Sequence, residues 1–420
     1  MSPLNIVTTI AMFPLLLPLW EQRPITSDDI YPTPYPIEVQ NADVRSAAEG
    51  FRYGDYAFRQ RLVQNLAETH NRLAAETLLT QLQIEPNEDI KATILGQIRL
   101  LPYNANAALQ AVTPLLDSPD RTVRQWAVTL YGELDDASGD VLLQKTLNDP
   151  DPQVRRRAAE ALPVHAQSLT ASELQKLRKS PDAVLRAWGW AAMCHVKDAR
   201  QIVSQLLAAC RAEPPNVRHA IANHMSTLSP SVTQDLYDAL SQDNHPSVRG
   251  QTAAAIGRAP APAFLPLVLR LADDPDYEVR RQAVHSLVAY PEPAAGEKIV
   301  AKYGDPSVFV RREAESSATE LHPQFDMADL SVARISDSDP NVRYRAYNVL
   351  GSIDARQHGE AVGNALLQER DPRLISASLL ALSRLRNIQF TEQALRLARH
   401  ADANVRKNAV LVLGNATGPR

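Results

Sequence analysis

The chain has 420 residues, 45% of them hydrophobic and 22% charged, with a formal net charge of -4. That is enough for a sizeable folded body, and it carries no overall positive excess to draw it to DNA or an acidic membrane. Fifteen glycines against 30 prolines suit helices joined by short proline-marked turns.

Residues 1–40 read as a leader. The apolar run "IVTTIAMFPLLLPLW" at 6–20 is too short for a membrane span and is broken by Pro14 and Pro18. No Lys or Arg precedes Arg23, and no small-residue cleavage triplet is evident. The run is either a signal or envelope anchor or a tail packed on the folded body. The location is accordingly periplasmic or cell envelope in the first case and cytoplasmic in the second. "YPTPYP" at 31–36 follows as an extended polyproline-like spacer.

From residue 41 the chain repeats. Arg124, Arg155, Arg186, Arg218, Arg249, Arg280, Arg311, Arg343, Ile375 and Arg406 occupy one column, in segments such as "DPQVRRRAAEAL", "DYEVRRQAVHSL" and "DPNVRYRAYNVL". Each step is 31 or 32 residues. Weaker copies centre on Arg59 and Lys91. A fixed period in this range signals a solenoid. Each unit holds a Pro/Asp turn, a helix opened by DPxVR and a second helical stretch, with no period-2 strand pattern, so an all-α array is predicted over 41–420.

The positions explain themselves. Asp55, Asp120, Asp151, Asp182, Asp276, Asp339, Asp371 and Asp402, four before the column residue, stand where a carboxylate accepts the first free N–H groups of a helix. Pro152, Pro340 and Pro372 follow where a missing N–H costs nothing. The aliphatic residue before the arginine, the small one three after and the Leu or Met seven after share one face, predicted to be buried. The column arginines, Arg124, Arg155, Arg186, Arg218, Arg249, Arg280, Arg311, Arg343 and Arg406, are expected to pair with the aspartate of a neighbouring turn, Asp120, Asp151, Asp276, Asp339 and Asp402 among them. That makes a structural ladder of bidentate pairs. Ile375 replaces one rung by an apolar contact.

The pattern resembles HEAT repeats, and its DPxVR opening is similar to the phycobilisome-lyase type of HEAT-like, armadillo-type repeat. The resemblance implies a right-handed superhelical α-solenoid of about twelve ~31-residue hairpins. It also implies that the DPxVR helices line the concave surface, with the positions one, two and five after the arginine exposed. Trp126, Arg156, Arg157, Trp188, His219, Arg281, His285, Arg312, Tyr344 and Arg345 fall there, and Arg and aromatic residues dominate binding hot spots. A protein partner is the expectation.

No phosphate loop, nucleophile elbow, HExxH or paired CxxC is present, so no catalytic, metal or cofactor residue is assigned. Histidines are scattered: His219 and His224 are off a common face, Cys194-His195 is a lone pair, and no His-Glu dipeptide occurs. Cys194 and Cys210 are expected to stay unpaired at opposite ends of one hairpin. The repeat type leaves a bilin lyase-like role as the alternative, with tetrapyrrole propionates on Arg156, Arg157, Arg281 and Arg312. A nucleic-acid phosphate track through Arg156, Arg157, Arg281, Arg312, Arg345 and Lys407 is disfavoured by acidity and by Glu160 and Glu313. Membrane contact is expected only through the leader. The last repeat has no polar cap, which allows self-association there.

Overall fold

The computed structural model describes residues 44, 46, 49–196 and 199–417; the expected leader lies outside them. The chain divides into two compact units, Met1–Val196 and Lys197–Arg420. Among the described residues both contain only helices and turns.

In the first unit the DPxVR helices are α1 (Tyr56–Glu68), α3 (Glu88–Ile98), α5 (Arg121–Gly132), α7 (Pro152–His165) and α9 (Ala183–Met193). They alternate with α2 (Arg72–Ile84), α4 (Ala105–Val112), α6 (Gly139–Asn148) and the short α8 (Gln175–Arg178). In the second unit the DPxVR set is α11 (Pro215–His224), α13 (Pro246–Arg258), α15 (Tyr277–Ser286), α17 (Val308–Leu321), α19 (Pro340–Ser352), α21 (Pro372–Arg384) and α23 (Ala403–Thr417). Between them run α10 (Ala199–Ala212), α12 (Pro230–Leu240), α14 (Leu265–Leu271), α16 (Pro293–Ala301), α18 (Ala328–Val332), α20 (Gly359–Leu366) and α22 (Thr391–Leu397). Within each unit every DPxVR helix packs on the next one, so these helices form a continuous layer.

Their starts are set by the aspartates. Asp55, Asp120, Asp151, Asp182, Asp276, Asp339, Asp371 and Asp402 each accept first-turn backbone N–H groups at 2.7–3.3 Å. Pro152, Pro340 and Pro372 are the first residues of their helices. The inward face is the one the period marks: Val123, Val154, Val279 and Val310 are buried with Ala127, Ala158, Ala283 and Ala314, and with Leu162, Met193, Leu287 and Leu350. Burying each of the larger side chains contributes about 1.5–3 kcal/mol.

A glycine column eight residues after the arginine controls how closely the DPxVR helices approach. A Cβ at Gly132 would stand 2.3 Å from the Ala161 Cβ of α7, and one at Gly351 would stand 3.0 Å from the Ala381 Cα of α21. At Gly414, on the last DPxVR helix, a Cβ would meet nothing within 4 Å. The bare side of that helix also shows in Val410, which is 57% exposed, while its counterparts Val284, Tyr347 and Leu379 are buried.

Gly132→Ala is therefore expected to lower stability by about 1–3 kcal/mol, because the backbones must part. Gly414→Ala should raise it by about 0.5–1 kcal/mol by restricting the unfolded chain; urea unfolding midpoints read both. The Asp120 carboxyl is held below the usual carboxylate range, first by the Val123 N–H and then by that of Thr122. A depressed folded pKa stabilises above the ordinary value and loses that stabilisation as pH falls through the folded one. The destabilisation by Asp120→Ala, about 1 kcal/mol at pH 7, should thus shrink below about pH 4 in thermal unfolding.

Candidate functional site

The column arginines share a backward contact, and several add a forward one. Nη1 turns back over its own loop: Arg155 donates to the Asp149 and Pro150 carbonyls at 2.7 and 3.2 Å, and Arg280 to those of Asp274 and Pro275 at 2.8 and 3.0 Å. The Nε and Nη2 edge reaches forward to a carboxylate of the next repeat. Arg124 grips Asp149 at 3.1 and 3.2 Å, Arg218 grips Asp243 at 2.6 and 2.8 Å, and Arg249 grips Asp274 at 2.6 and 2.7 Å. Arg280 holds Asp305 at 2.8 and 2.9 Å and Arg343 holds Glu369 at 2.8 and 3.2 Å. Arg59 meets Glu85 at 3.3 Å. All but the Arg59 contact are bidentate, and all are charge-assisted.

The acids of these rungs are not the expected ones. Asp120, Asp151, Asp276, Asp339 and Asp402 have their carboxylates committed to helix N–H groups, and the guanidinium takes an acid two residues further upstream. That acid does a second job: an Oδ1 of Asp149, Asp243, Asp274 and Asp305 accepts the N–H two residues on, at 2.8–2.9 Å. The visible signal was the D-x-D spacing in "NDPDPQVR" and "DDPDYEVR". Arg186 and Arg406 reach back to the carbonyls of Ser180 and His400 at 2.8 and 2.9 Å, and Arg311 to that of Asp305 at 2.7 Å. Ile375 is buried in the core of its repeat.

The positions one, two and five after the arginine form a second strip on the same helices. In the first unit, the half-buried Trp126 lies against Gly96, 3.7 Å from its hypothetical Cβ, with the Arg99 guanidinium 5.8 Å from its ring. Arg156 and Arg157 are exposed, and Arg157 donates to Glu160 at 2.9 Å. Trp188 is half-buried.

In the second unit, His219 Nδ1 is 3.1 Å from the Ser247 carbonyl. Arg281 pairs with Glu278 at 2.6 Å and Glu313 at 3.2 Å, and His285 Nδ1 lies 3.0 Å from Glu313. The Arg281 guanidinium in turn holds the Glu278 carboxyl below the usual range. Arg312 is exposed. Arg345 pairs with Glu315, and the guanidiniums of Arg345 and Arg373 lie 5.3 and 5.2 Å from the Tyr344 ring. The second unit thus gathers Arg281 and His285 around Glu313, and Arg345 and Arg373 around the Tyr344 ring. Lys407 is exposed on α23.

The family model for HEAT repeats matches residues 75–163, 233–318 and 328–414, more than half of the chain. The chain belongs to the HEAT-repeat family. Solved structures with a similar fold include an engineered protein (18% identity, 82% of this chain and 99% of that one, TM-score 0.32). YibA of Escherichia coli is another (17% identity, 61% of this chain and 96% of that one, TM-score 0.40). Kap95p in complex with RanGDP is a third (11% identity, 99% of this chain and 67% of that one, TM-score 0.49). None of these likenesses bears on function. No curated protein matches the chain.

In the second unit of this HEAT-repeat protein, clefts open along the DPxVR helices. One of about 480 Å³ is lined by Arg258, Gln282, His285, Glu320 and Gln324. Another, of about 330 Å³, is lined by His219, His245, Gln251, Glu278 and Gln282. A third, of about 300 Å³, lies among Tyr344, Asn348, Arg373, Asp402 and Asn404. In the first unit a cleft of about 640 Å³ lies elsewhere, beside the Arg124–Asp149 rung and α6.

Two aromatic residues escaped the sequence reading because they precede the arginine. Tyr277 and Phe309 are exposed and stacked, ring centroids 5.9 Å apart, and the hint lay in "DYEVR" followed by "VFVR" one repeat later. Among the described residues no cluster of His, Cys, Asp or Glu could hold a metal. Burial pushes the Cys210 thiol up to about 12, far from a reactive thiolate. Neither cysteine forms a disulfide. No described helix is long and apolar enough to cross a membrane.

The Arg280 and Asp305 side chains are only 12% and 2% exposed. Arg280→Ala should cost about 2–4 kcal/mol, since it strands a buried carboxylate. Arg312→Ala, one repeat on and exposed, should stay within about 0.5 kcal/mol of wild type in the same urea titration.

Proposed function

We propose that this HEAT-repeat protein is a non-enzymatic scaffold or adaptor that holds a protein partner along the exposed face of its DPxVR helices. Trp126, Arg156, Arg157 and Trp188 would serve in the first unit, and His219, Arg281, His285, Arg312, Tyr344 and Arg345 in the second. The observation that carries the reading is the series of clefts along the DPxVR helices of the second unit, lined by His219, His285 and Tyr344. Concave sites edged by Arg, Tyr and His suit anchoring side chains of another protein.

The charge pattern favours a protein over a nucleic acid. Arg157, Arg281 and Arg345 are each balanced by glutamates, which interrupts a phosphate track. The lining of these clefts by charged and amide groups also suits a polypeptide better than a tetrapyrrole, which needs a mostly apolar enclosure. The exposed Val410 and Leu411 on α23 support self-association as a second contact.

The test is a pull-down with wild type against the Trp126→Ala/Trp188→Ala/Arg281→Ala variant, its folding checked by circular dichroism. Partner recovery should fall at least tenfold, as expected when hot-spot residues are truncated. Unchanged recovery would overturn the reading, and so would a salt-sensitive DNA mobility shift in place of a protein partner.

A further inference from the structure

The arginine ladder is interrupted at Arg155. This residue makes the backward contacts of the column, to the Asp149 and Pro150 carbonyls at 2.7 and 3.2 Å, which orient its guanidinium as in the complete rungs. In the complete rungs the acid stands 25 or 26 residues after the arginine, and the position 25 after Arg155 is 180. There the chain has Ser180 instead of an acid. Ser180 keeps the turn-forming part of the acid's work: its Oγ accepts the Asp182 N–H at 3.2 Å, and its carbonyl accepts Arg186 Nη1 at 2.8 Å. It has no carboxylate to offer. Arg311 differs, because Asp337 still stands at the corresponding position.

The surroundings are positive as well. Lys179 adjoins Ser180, Lys176 lies on α8, and Arg156 adjoins Arg155; all three are exposed. None of the four cations has an ion pair among the described residues. The acids near them in sequence are engaged elsewhere: Asp149 with Arg124, Asp151 and Asp182 as helix caps, Glu160 with Arg157, and Glu173 with Thr170. Complete rungs elsewhere among the described residues, at Arg124, Arg218, Arg249, Arg280 and Arg343, hold a carboxylate on this edge at 2.6–3.2 Å.

We propose that the vacant rung is a binding site for an acidic side chain of a partner protein. An Asp or Glu carboxylate takes the bidentate edge of Arg155, and neighbouring acids of the same segment meet Arg156 and Lys179. The partner's carboxylate thus completes the ladder from outside. The inference rests on the scaffold reading only for who carries the acid. The following titration involves none of Trp126, Trp188 or Arg281, so either idea can fail without the other.

The experiment is fluorescence anisotropy of labelled hexaglutamate with the full chain at about 50 mM salt, where charged contacts are weakly screened. Ser180→Asp closes the rung from inside. It should weaken hexaglutamate binding at least tenfold and raise the unfolding temperature, since the new carboxylate competes for the same edge. Arg155→Lys, which keeps the charge but loses the fork, should weaken binding severalfold. Gln175→Glu adds the same charge on α8 without filling the rung and should leave the affinity within about threefold. Equal affinity of wild type and Ser180→Asp would overturn the proposal. So would a loss in Gln175→Glu as large as in Ser180→Asp, because general charge attraction would then account for the binding.

Discussion

The contact on which the rest depends is the fork between a column arginine and the acid of the next turn. A guanidinium has five N–H donors in a rigid plane, and here the plane is divided. One nitrogen serves carbonyls of its own loop, and the opposite edge serves a carboxylate of the next repeat, as in Arg249 between the Asp243 carbonyl and the Asp274 carboxylate. Asp274 in turn gives its carbonyl to Arg280. Arg218, Asp243, Arg249, Asp274, Arg280, Asp305 and Arg311 are therefore linked without interruption along the second unit. The pairs are nearly buried, so desolvation offsets much of their attraction. What they supply above all is register: a one-residue slip between repeats would strand both an arginine and an acid.

Packing works within that register. Small residues three after the arginine and glycines eight after it let successive DPxVR helices close to backbone contact, as Gly132 does against Ala161 and Gly351 against Ala381. Aliphatic residues can fill the remaining space only because the turns have been fixed first by Asp caps and then by the second acid. Stability in such an array is close to a sum of nearest-neighbour terms. A missing rung or a bare final helix is therefore felt locally, and the consequence at Val410 is exposed apolar surface.

The period, the caps and the inward face were legible because each is a one-dimensional pattern: Asp151, Val154, Arg155, Ala158 and Leu162 recur at fixed offsets. The partner of the arginine was not. Asp149 and Asp151 are both acids near a helix start, and only the three-dimensional arrangement shows that Asp151 is already occupied by the N–H groups of Gln153 and Val154. The Gly132, Gly351 and Gly414 column went unread for a similar reason, since a scarce residue at intervals carries little signal until a Cβ is seen to collide. On the exposed face, sequence could place Arg281 and Arg345 on the right helix positions. It could not show that Glu278 on the same helix, Glu313 on the next DPxVR helix and Glu315 on the preceding one would claim them.

That last difference reshapes the proposed binding face. A side chain already tied to its neighbour is pre-organised, but its charge is largely spent, so Arg281 and Arg345 are fixed polar groups beside the clefts rather than free cations. Arg156 and Arg312 are exposed and keep their charge, and Trp126 offers a face already backed by Gly96. The "RRR" of residues 155–157 separates along these lines. Arg157 is paired with Glu160, Arg156 is unpaired among the described residues, and Arg155, which by pattern is the structural one, retains an oriented and unfilled edge. In a repeat protein the places where the pattern is kept by all but one partner are where architecture turns into recognition, because the geometry has been prepared and the last ligand is left to come from outside.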